Sequence, residues 1–247
     1  TFALPVRDQA AAEAPEHALT LVLDSTINNE EGYRLSVTEK SIRIEGRAEQ
    51  GIFYGIQTLR KSLPAVAESK SILLPAAVVN DEPRFTYRAM HLDVCRHFFP
   101  VEFVKKYIDL LALHNMNTFH WHLTDDQGWR IESKKYPKLN EIRSVRHRTV
   151  VGYLGSGEYD NTDYGRYYTQ EQMKEVVAYA AERYINVLPE IDLPGHTLSV
   201  LASYPEFGCT GGPYEVCPDW GVFPDVLCIG NEQAMQFVED ILGELIE

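Results

Sequence analysis

Short apolar runs and one helical repeat make up the first third of the chain. A helix is predicted over 51–63, where apolar residues recur at three- and four-residue spacing, and Pro64 ends it. Strands are predicted on both sides of this helix, over 19–23, 32–37, 41–44 and 72–79. Residues 80–83 have the turn-forming composition of a linker. Residues 1–84 therefore predict a small α+β domain, in which we find no catalytic constellation.

From residue 85 onward, apolar strands alternate with amphipathic helices. The strands are predicted over 85–94, 116–123 and 186–193. The helices are predicted over 100–114, 169–183, 198–203 and 232–247, with Thr169 and Asn231 as N-terminal caps. The first helix is expected to pack through Phe103, Tyr107, Leu110 and Leu111. Alternation of this kind is typical of βα units, so residues 85–247 predict an α/β fold with parallel strands, which suits a (β/α)8 TIM barrel.

A long loop separates the second strand from the helix that Thr169 opens. It spans 136–168 and interleaves glycines with tyrosines at 153, 159, 164, 167 and 168. Loops of this length inside a compact domain usually form lids or walls of functional sites, so we expect this one to do so.

The strand over 116–123 and the charged segment after it carry the densest set of polar groups. Alternation places His120, His122 and Thr124 on one face, opposite Phe119, Trp121 and Leu123. In a parallel barrel the outer face packs on helices, and the C-terminal end of the inner face becomes the active site. Asp125 and Asp126 follow this strand directly, so we expect chemistry at its end.

Neighbouring strands add polar side chains to the same inner face. His91 and Asp93 end the first strand, and Glu190 and Asp192 share one face of the third. Charged groups cannot face a helix layer cheaply, so all four are expected to point into the barrel. An internal ion-pair network and a catalytic role are equally good interpretations of Glu190.

Composition and charge restrict the class of partner. The chain has 247 residues, of which 45% are hydrophobic and 24% are charged, as in globular proteins. Its formal charge of −13 argues against nucleic acid, because phosphate binding needs the opposite sign. No apolar run reaches membrane-spanning length, and no signal peptide pattern is present in this chain.

The four cysteines leave two redox states open. Cys209, Cys217 and Cys228 lie close in sequence, so a Cys209–Cys228 or a Cys209–Cys217 disulfide fits, and reduced thiols fit as well. There is no C-x-x-C spacing, so a cysteine zinc site is poorly supported.

Three segments resemble motifs of the family 20 glycoside hydrolases, the β-N-acetylhexosaminidases. They are LDVCRH over 92–97, HWHLTDDQGWR over 120–130 and PEIDLPGH over 189–196. The upstream α+β domain also resembles the one that precedes the barrel in that family. The resemblance implies exo-acting, retaining removal of terminal β-linked GlcNAc or GalNAc from glycans. It implies no cofactor and an extracytoplasmic (periplasmic, secreted or lysosome-like) location, and leaves the oligomeric state open.

The same resemblance implies roles for three residues. In the family the acetamido oxygen of the substrate attacks the anomeric carbon, while an enzyme Glu protonates the leaving oxygen. Arg96 matches the arginine that grips hydroxyls of the terminal sugar, a task that its fork of donors suits. Asp125 and His196 match the Asp–His pair that supports the acid. The alternative role for Arg96 is an ion pair with a nearby carboxylate, and the same side chain can both form that ion pair and bind the sugar.

The chain departs from the family at the catalytic Asp-Glu pair. In the family this pair follows the fourth barrel strand in a Gly-Gly-Asp-Glu-like motif, which this chain does not contain. Glu239 and Asp240 fall within the last predicted helix and cannot replace it. The resemblance therefore implies a hexosaminidase fragment, with the α+β domain over 1–84 and the N-terminal part of the (β/α)8 barrel over 85–247. We expect it to lack the acid, to be inactive alone, and to have a first barrel strand with a free edge or one paired by another chain.

Two other classes of function remain open at this point. A metal-dependent barrel hydrolase would bind zinc through His120 and His122, with Asp125 or Asp192 as further ligands. A non-catalytic carbohydrate-binding fragment would use the same residues without turnover. Metal analysis and a GlcNAc titration followed by tryptophan fluorescence distinguish them.

Overall fold

The structure is a computed structural model that describes residues 16–64, 72–141, 145–153 and 155–246. The chain divides into two units, one of residues 1–87 with 113–115, the other of residues 88–112 and 116–247. No helix among the described residues is long and apolar enough to cross a membrane.

The first unit is a four-stranded sheet covered by one helix. Its elements are β1 (Leu19–Leu23), β2 (Tyr33–Val37), β3 (Ile42–Gly46), α1 (Glu49–Ser62) and β4 (Ala77–Asp81). The strand order is β1-β3-β2-β4, with β1 parallel to β3 and the other pairs antiparallel. Ile44 and Tyr54 are buried between sheet and helix. A Cβ at Gly55 would lie 2.5 Å from the Ile44 side chain, so α1 sits directly on β3 only because a glycine stands there.

The last strand of this unit differs from its prediction. It begins at Ala77 rather than Ile72, and it continues through Asn80 and Asp81, which we had assigned to a linker. Asn80 pairs with Arg34 of β2, and the Asn80 side chain accepts from the Arg34 Nε atom at 2.9 Å. Pairing with a partner strand therefore overrides the turn preference of these polar residues.

The second unit begins as a βα barrel does. Its elements are β5 (Ala89–Asp93), α2 (Val101–Leu113), β6 (Thr118–Asp125), β7 (Gly128–Trp129), α3 (Lys138–Glu141), β8 (Val145–Arg146), β9 (Tyr164–Gly165), α4 (Gln170–Ala181), β10 (Asn186–Ile191), α5 (Leu198–Ser203), a 3-10 turn (Pro205–Phe207) and α6 (Glu232–Ile246). Strands β10, β6 and β5 form a parallel sheet in that order, and β7 folds back antiparallel on β6. The predicted α/β class and the start of a TIM barrel are confirmed. In the described part of the chain, the expected free edge lies on β5.

Both predicted helix caps are present, since the Asn231 side chain accepts from the Gln233 backbone N–H at 2.9 Å at the start of α6, whereas one predicted helix face is partly wrong. Thr169 and Gln172 form a reciprocal capping box at the start of α4. The predicted inward face of α2 is wrong for Phe103 and Leu110, which are 39% and 49% exposed, and is confirmed for Leu111, which is buried. The helix instead buries an aliphatic stripe made of Val101, Val104, Ile108, Leu111 and Ala112. Both stripes have helical spacing, so periodicity predicted the helix but could not choose its orientation.

The central strand β6 has the predicted alternation. Phe119, Trp121 and Leu123 are fully buried on its outer face. Tyr168, from the end of the long loop, packs edge-on against Trp121 with ring centroids 4.7 Å apart. The loop is therefore attached to the core at this end, although part of it, residues 142–144 and 154, lies outside the described residues.

Candidate active site

The parallel register places the polar side chains in rows across the sheet. Asp93, His122 and Glu190 pair across β5, β6 and β10, and His91 lies level with His120 one row below. Because the strands are parallel, their C-terminal ends meet at one edge. The predicted inner-face cluster therefore forms.

Asp125 is the centre of this cluster and is fully buried. Its Oδ2 atom lies 2.7 Å from Nη2 of Arg96 and 2.7 Å from Nε2 of His122. Its Oδ1 atom accepts from the Asp126 backbone N–H at 2.7 Å and lies 3.2 Å from Nδ1 of His196. The hairpin between β6 and β7, with Asp125 opposite Gly128, holds the carboxylate in place. The structure thus brings together Arg96, Asp125 and His196, the three residues matched by resemblance.

Arg96 is held by the turn that follows β5. Asp93 accepts from the backbone N–H groups of Cys95 and Arg96, and from Nη1 of Arg96 at 2.8 Å. Burial raises the pKa of Asp93, but the Arg96 charge and these hydrogen bonds outweigh it, so the net shift is downward. The ion-pair alternative for Arg96 is therefore present. Its side chain remains 26% exposed, and a guanidinium has five N–H donors, so it can also bind a ligand.

Asp126 is a site residue to which the sequence analysis gave no role. His196 Nδ1 lies 2.9 Å from Asp126 Oδ2, a hydrogen bond shorter than its 3.2 Å approach to Asp125. Asp126 also accepts from the backbone N–H of Leu198 at 3.1 Å, which ties the start of α5 to the end of β6. Burial raises the pKa of Asp126. His196 therefore lies between two carboxylates, and a second buried acid directly after Asp125 was the signal available in the sequence.

The backbone at His196 has an unusual conformation. Its φ of 54° lies in the left-handed region, which non-glycine residues enter rarely and at a cost of about 1–3 kcal/mol. The contacts with Asp126 keep the residue in that conformation. Donation from Nδ1 leaves Nε2 of His196 available to a further group, since a neutral imidazole has one donor and one acceptor nitrogen.

Three histidines surround one oxygen of Glu190. Glu190 Oε2 lies 2.5 Å from Nε2 of His120, 2.9 Å from Nδ1 of His122 and 3.7 Å from Nε2 of His91. Burial lowers the pKa of His122, but its contacts with Asp125 and Glu190 outweigh burial and raise that pKa to about 9. Burial raises the pKa of Glu190, but the contact with His122 and the charge of His120 bring it below its ordinary value. Glu190 therefore acts as the counter-charge of an imidazolium.

This arrangement weakens the metal-dependent alternative. A zinc ligand must be a neutral imidazole with a free lone pair. Both nitrogens of His122 face carboxylates, and with a pKa of about 9 both hold protons at neutral pH. A metal ion that binds His122 would have to displace one of these two protons.

Two buried arginines hold the backbone around Arg96. Arg130 donates from Nη2 to the carbonyl of Cys95 at 2.7 Å, and Arg146 donates from Nη2 to the carbonyl of Arg96 at 2.6 Å. Both guanidinium groups lie over the ring of Tyr164, at 5.8 and 4.4 Å from its centroid. Burial, followed by the charge of Arg130, lowers the pKa of Arg146 to about 10. The sequence analysis missed Arg146, because nothing local marks a loop arginine as buried.

All four cysteines are free thiols in this structure. Cys95 is buried and donates to the carbonyl of His122 at 3.4 Å, and burial raises its pKa. Cys217 donates to the carbonyl of Asp219, whereas Cys209 and Cys228 each follow one residue of the antiparallel bridge between Gly208 and Leu227. Of the two disulfides considered, Cys209–Cys228 is thus the one whose residues lie on neighbouring segments, and Cys228 raises the pKa of Cys209.

A parallel βα sheet with an arginine, buried carboxylates and histidines at its strand ends is the arrangement of a (β/α)8 barrel that begins here and carries a polar site at the C-terminal ends of its strands. Residues 85–247 match the family described as "Glycosyl hydrolase family 20, catalytic domain", and residues 1–82 match "Glycosyl hydrolase family 20, domain 2". The chain belongs to glycosyl hydrolase family 20.

Relatives and solved structures agree with this assignment. The chain is 42% identical to a β-hexosaminidase of Porphyromonas gingivalis. The matched region covers 98% of this chain and 31% of the relative. It is 44% identical to a β-hexosaminidase of Vibrio furnissii, over 76% of the chain and 30% of the relative. A Streptomyces plicatus β-hexosaminidase mutant in complex with its product GlcNAc is 39% identical, with a TM-score of 0.80 over 92% of this chain and 44% of that one. The chain thus spans about a third of these curated relatives' length.

Proposed function

We propose that this chain forms the first part of the active site of a retaining, exo-acting β-N-acetylhexosaminidase. The observation that carries the proposal is the convergence of Arg96, Asp125 and His196 at the strand ends of a family 20 chain. These side chains come from three segments that are far apart in sequence. Their contact depends on parallel strands that end at one edge of the sheet, which supports a shared site there.

Arg96 is the proposed ligand of the terminal sugar. Its Nη1 contacts Asp93 and its Nη2 contacts Asp125, and a guanidinium has five N–H donors, so the remaining ones can donate to sugar hydroxyls. A fork fixed on two carboxylates loses little rotational freedom when it binds. Arg96 therefore orients the sugar with its acetamido group free to attack the anomeric carbon.

His196 is the proposed support for the catalytic acid. Asp125 and Asp126 fix its Nδ1 atom, which leaves Nε2 to bind a carboxyl group. A Glu that rests on this nitrogen can give its proton to the leaving oxygen and be held as a carboxylate afterwards. In this proposal the Asp-Glu pair comes from a part of the protein beyond residue 247.

The open edge of the sheet supports an active site that is shared between this chain and a further part of the protein. A closed barrel of this type has eight strands, whereas the described residues contribute three parallel ones. Inner-face side chains are partly uncovered, with His91 49% exposed and Leu188 43% exposed. The proposal assigns the opposite wall to further strands.

Terminal β-linked GlcNAc or GalNAc of a glycan is the proposed substrate, and an extracytoplasmic location is proposed with it. The named relatives and the GlcNAc complex of the Streptomyces plicatus enzyme support the substrate class. The location rests on the family resemblance alone, and secretion of a tagged full-length protein would test it.

Aryl glycosides test the proposed reaction. A full-length protein that contains this chain should hydrolyse 4-nitrophenyl β-GlcNAc and β-GalNAc, and a thiazoline mimic of the oxazoline intermediate should inhibit it. Equal activity on 4-nitrophenyl β-glucoside, which has no acetamido group, would refute substrate assistance. The 247-residue chain alone should show no turnover, and activity near that of the full-length protein would mean that the acid lies within it, with Glu190 the first candidate.

A further inference from the structure

Glu190 and His122 have no part in the proposed mechanism, yet they connect directly to it. Five side chains of alternating charge follow one another across the sheet, from Glu190 through His122, Asp125 and Arg96 to Asp93. The successive distances are 2.9, 2.7, 2.7 and 2.8 Å. Asp125 is the third group from either end of this series, and Arg96 is the second from Asp93. Both therefore have charged neighbours on either side.

The protons on His122 decide whether this series holds together. The carboxylate of Asp125 faces Nε2 of His122, and the carboxylate of Glu190 faces Nδ1, so each nitrogen must carry a proton for its contact to be attractive. A neutral imidazole has only one N–H, so it would turn a lone pair toward one of the two carboxylates. Only the imidazolium places a proton on both nitrogens. His122 Nδ1 and Glu190 Oε2 are buried 2.9 Å apart as an ion pair and, among the described residues, neither atom has an aligned hydrogen bond, so charge rather than hydrogen-bond geometry joins them.

Taken together, the other titratable groups around His122 also favour its protonated form. They are His91, Asp93, Cys95 and Arg96 from β5 and the turn after it, His120 and Asp125 from β6, and Glu190 and Asp192 from β10 and the residue that follows it. Four carboxyl groups face His122 against one permanent cation, Arg96, whose Nη1 lies 3.4 Å from Nε2 of His122. A negative surplus of this kind stabilises a cation.

We propose that Glu190 and His122 are positioning residues for the hexosaminidase reaction. Glu190 keeps both nitrogens of His122 protonated, and His122 then holds Oδ2 of Asp125 in contact with Arg96. Oδ1 of Asp125 remains directed at the backbone of Asp126 and at His196. This inference rests on the proposed function, and it assigns Glu190 a role that acts through His122 rather than on the substrate.

The substitution Glu190→Gln tests the protonation. It keeps the size of the side chain and removes its charge, so the imidazolium of His122 should lose its main partner on β10. Histidine ¹⁵N shifts of the 247-residue chain report on the eight imidazoles, and the His122→Gln variant identifies the signal of His122. We expect the His122 midpoint to fall by about one pH unit or more in Glu190→Gln, the scale of one lost charge contact. The exposed Glu239→Gln is the matched control and should leave it unchanged.

Activity of the full-length protein tests the positioning role. Loss of a group that orients a metal ligand typically costs about 10–100-fold, and we expect kcat/KM for 4-nitrophenyl β-GlcNAc to fall on that same scale in Glu190→Gln. His122→Gln should fall at least as far, and the double variant should be no worse than His122→Gln, because Glu190 acts only through His122. Glu239→Gln should match the unsubstituted protein.

The outcomes separate this proposal from the proposed function. An unsubstituted full-length protein without hexosaminidase activity overturns the proposed function, and the catalytic role of the pair with it. An active protein in which Glu190→Gln changes neither the His122 midpoint nor kcat/KM overturns the positioning role alone. Additive losses in the double variant would also overturn it, since Glu190 would then act independently of His122.

Discussion

Arg146 should be worth several kcal/mol to the second unit, although it lies in a long loop. Its side chain is buried, Nε donates to Thr149 at 2.8 Å, and Nη2 donates to the carbonyl of Arg96 at 2.6 Å. Nη1 makes two longer contacts, at 3.4 Å with the carbonyl of Gln127 and at 3.5 Å with that of Cys95. The perturbation we choose is Arg146→Lys, which keeps the charge and removes the fork.

The expected loss follows from the contacts that lysine cannot make. A lysine ammonium at this place can keep one of the two close hydrogen bonds, so one is lost and the longer contacts weaken. A hydrogen bond to a charged group contributes about 1.5–3 kcal/mol, and a buried carbonyl left without a donor adds to the cost. We therefore expect Arg146→Lys to lower the free energy of unfolding of the second unit by about 2–4 kcal/mol.

Urea unfolding followed by tryptophan fluorescence measures this loss of stability in the second unit. The chain has three tryptophans, at positions 121, 129 and 220, and all three belong to the second unit. Arg148→Lys is the matched control, because Arg148 is exposed and lies 4.0 Å over the ring of Tyr159, a contact that lysine can also make. The control should change the free energy of unfolding by less than about 0.5 kcal/mol. A loss below about 1 kcal/mol in Arg146→Lys would refute the claim that this fork holds the turn.

Three further predictions concern the site, its pH dependence and the thiols. Arg96→Ala in a full-length protein should cost about 2–4 kcal/mol in kcat/KM for aryl β-GlcNAc, because a charge-assisted contact to the sugar is lost, and an unchanged kcat/KM would make Arg96 purely structural. Since the folded pKa of His122 is about 9 against an ordinary 6.5, its contribution to stability is complete below pH 6.5 and disappears as the pH rises through 9. That loss should amount to about 3 kcal/mol in urea unfolding, and a His122→Gln variant with the same pH dependence would contradict it. Mild oxidation should link Cys209 to Cys228, and peptide mapping by mass spectrometry that finds Cys209 joined to Cys217 would show the adjacency to be wrong.

The sequence predicted a site residue wherever the strand or turn that carries it could be recognised from its own local pattern. Arg96, Asp125 and His196 follow the ends of predicted strands, and their contact follows from parallel strands ending at one edge. Asp126 was not assigned a role, because its partners are His196 and the backbone of Leu198, which lie about seventy positions away in the chain. No local pattern distinguishes that buried carboxylate from a solvated turn.

Local patterning by itself determined the alternation of β6, the capping box of α4 and the βα order of the second unit. Each of these depends on neighbours within a few residues, and side-chain period and cap chemistry are local properties. The tertiary structure alone decided which stripe of α2 is buried, that Glu190 faces His122, and that the loop residue Arg146 supports the turn of Arg96. Those contacts join segments that are distant in sequence. Strand register and the packing of helices and loops on the sheet bring such segments together, and periodicity along the chain does not encode either of them.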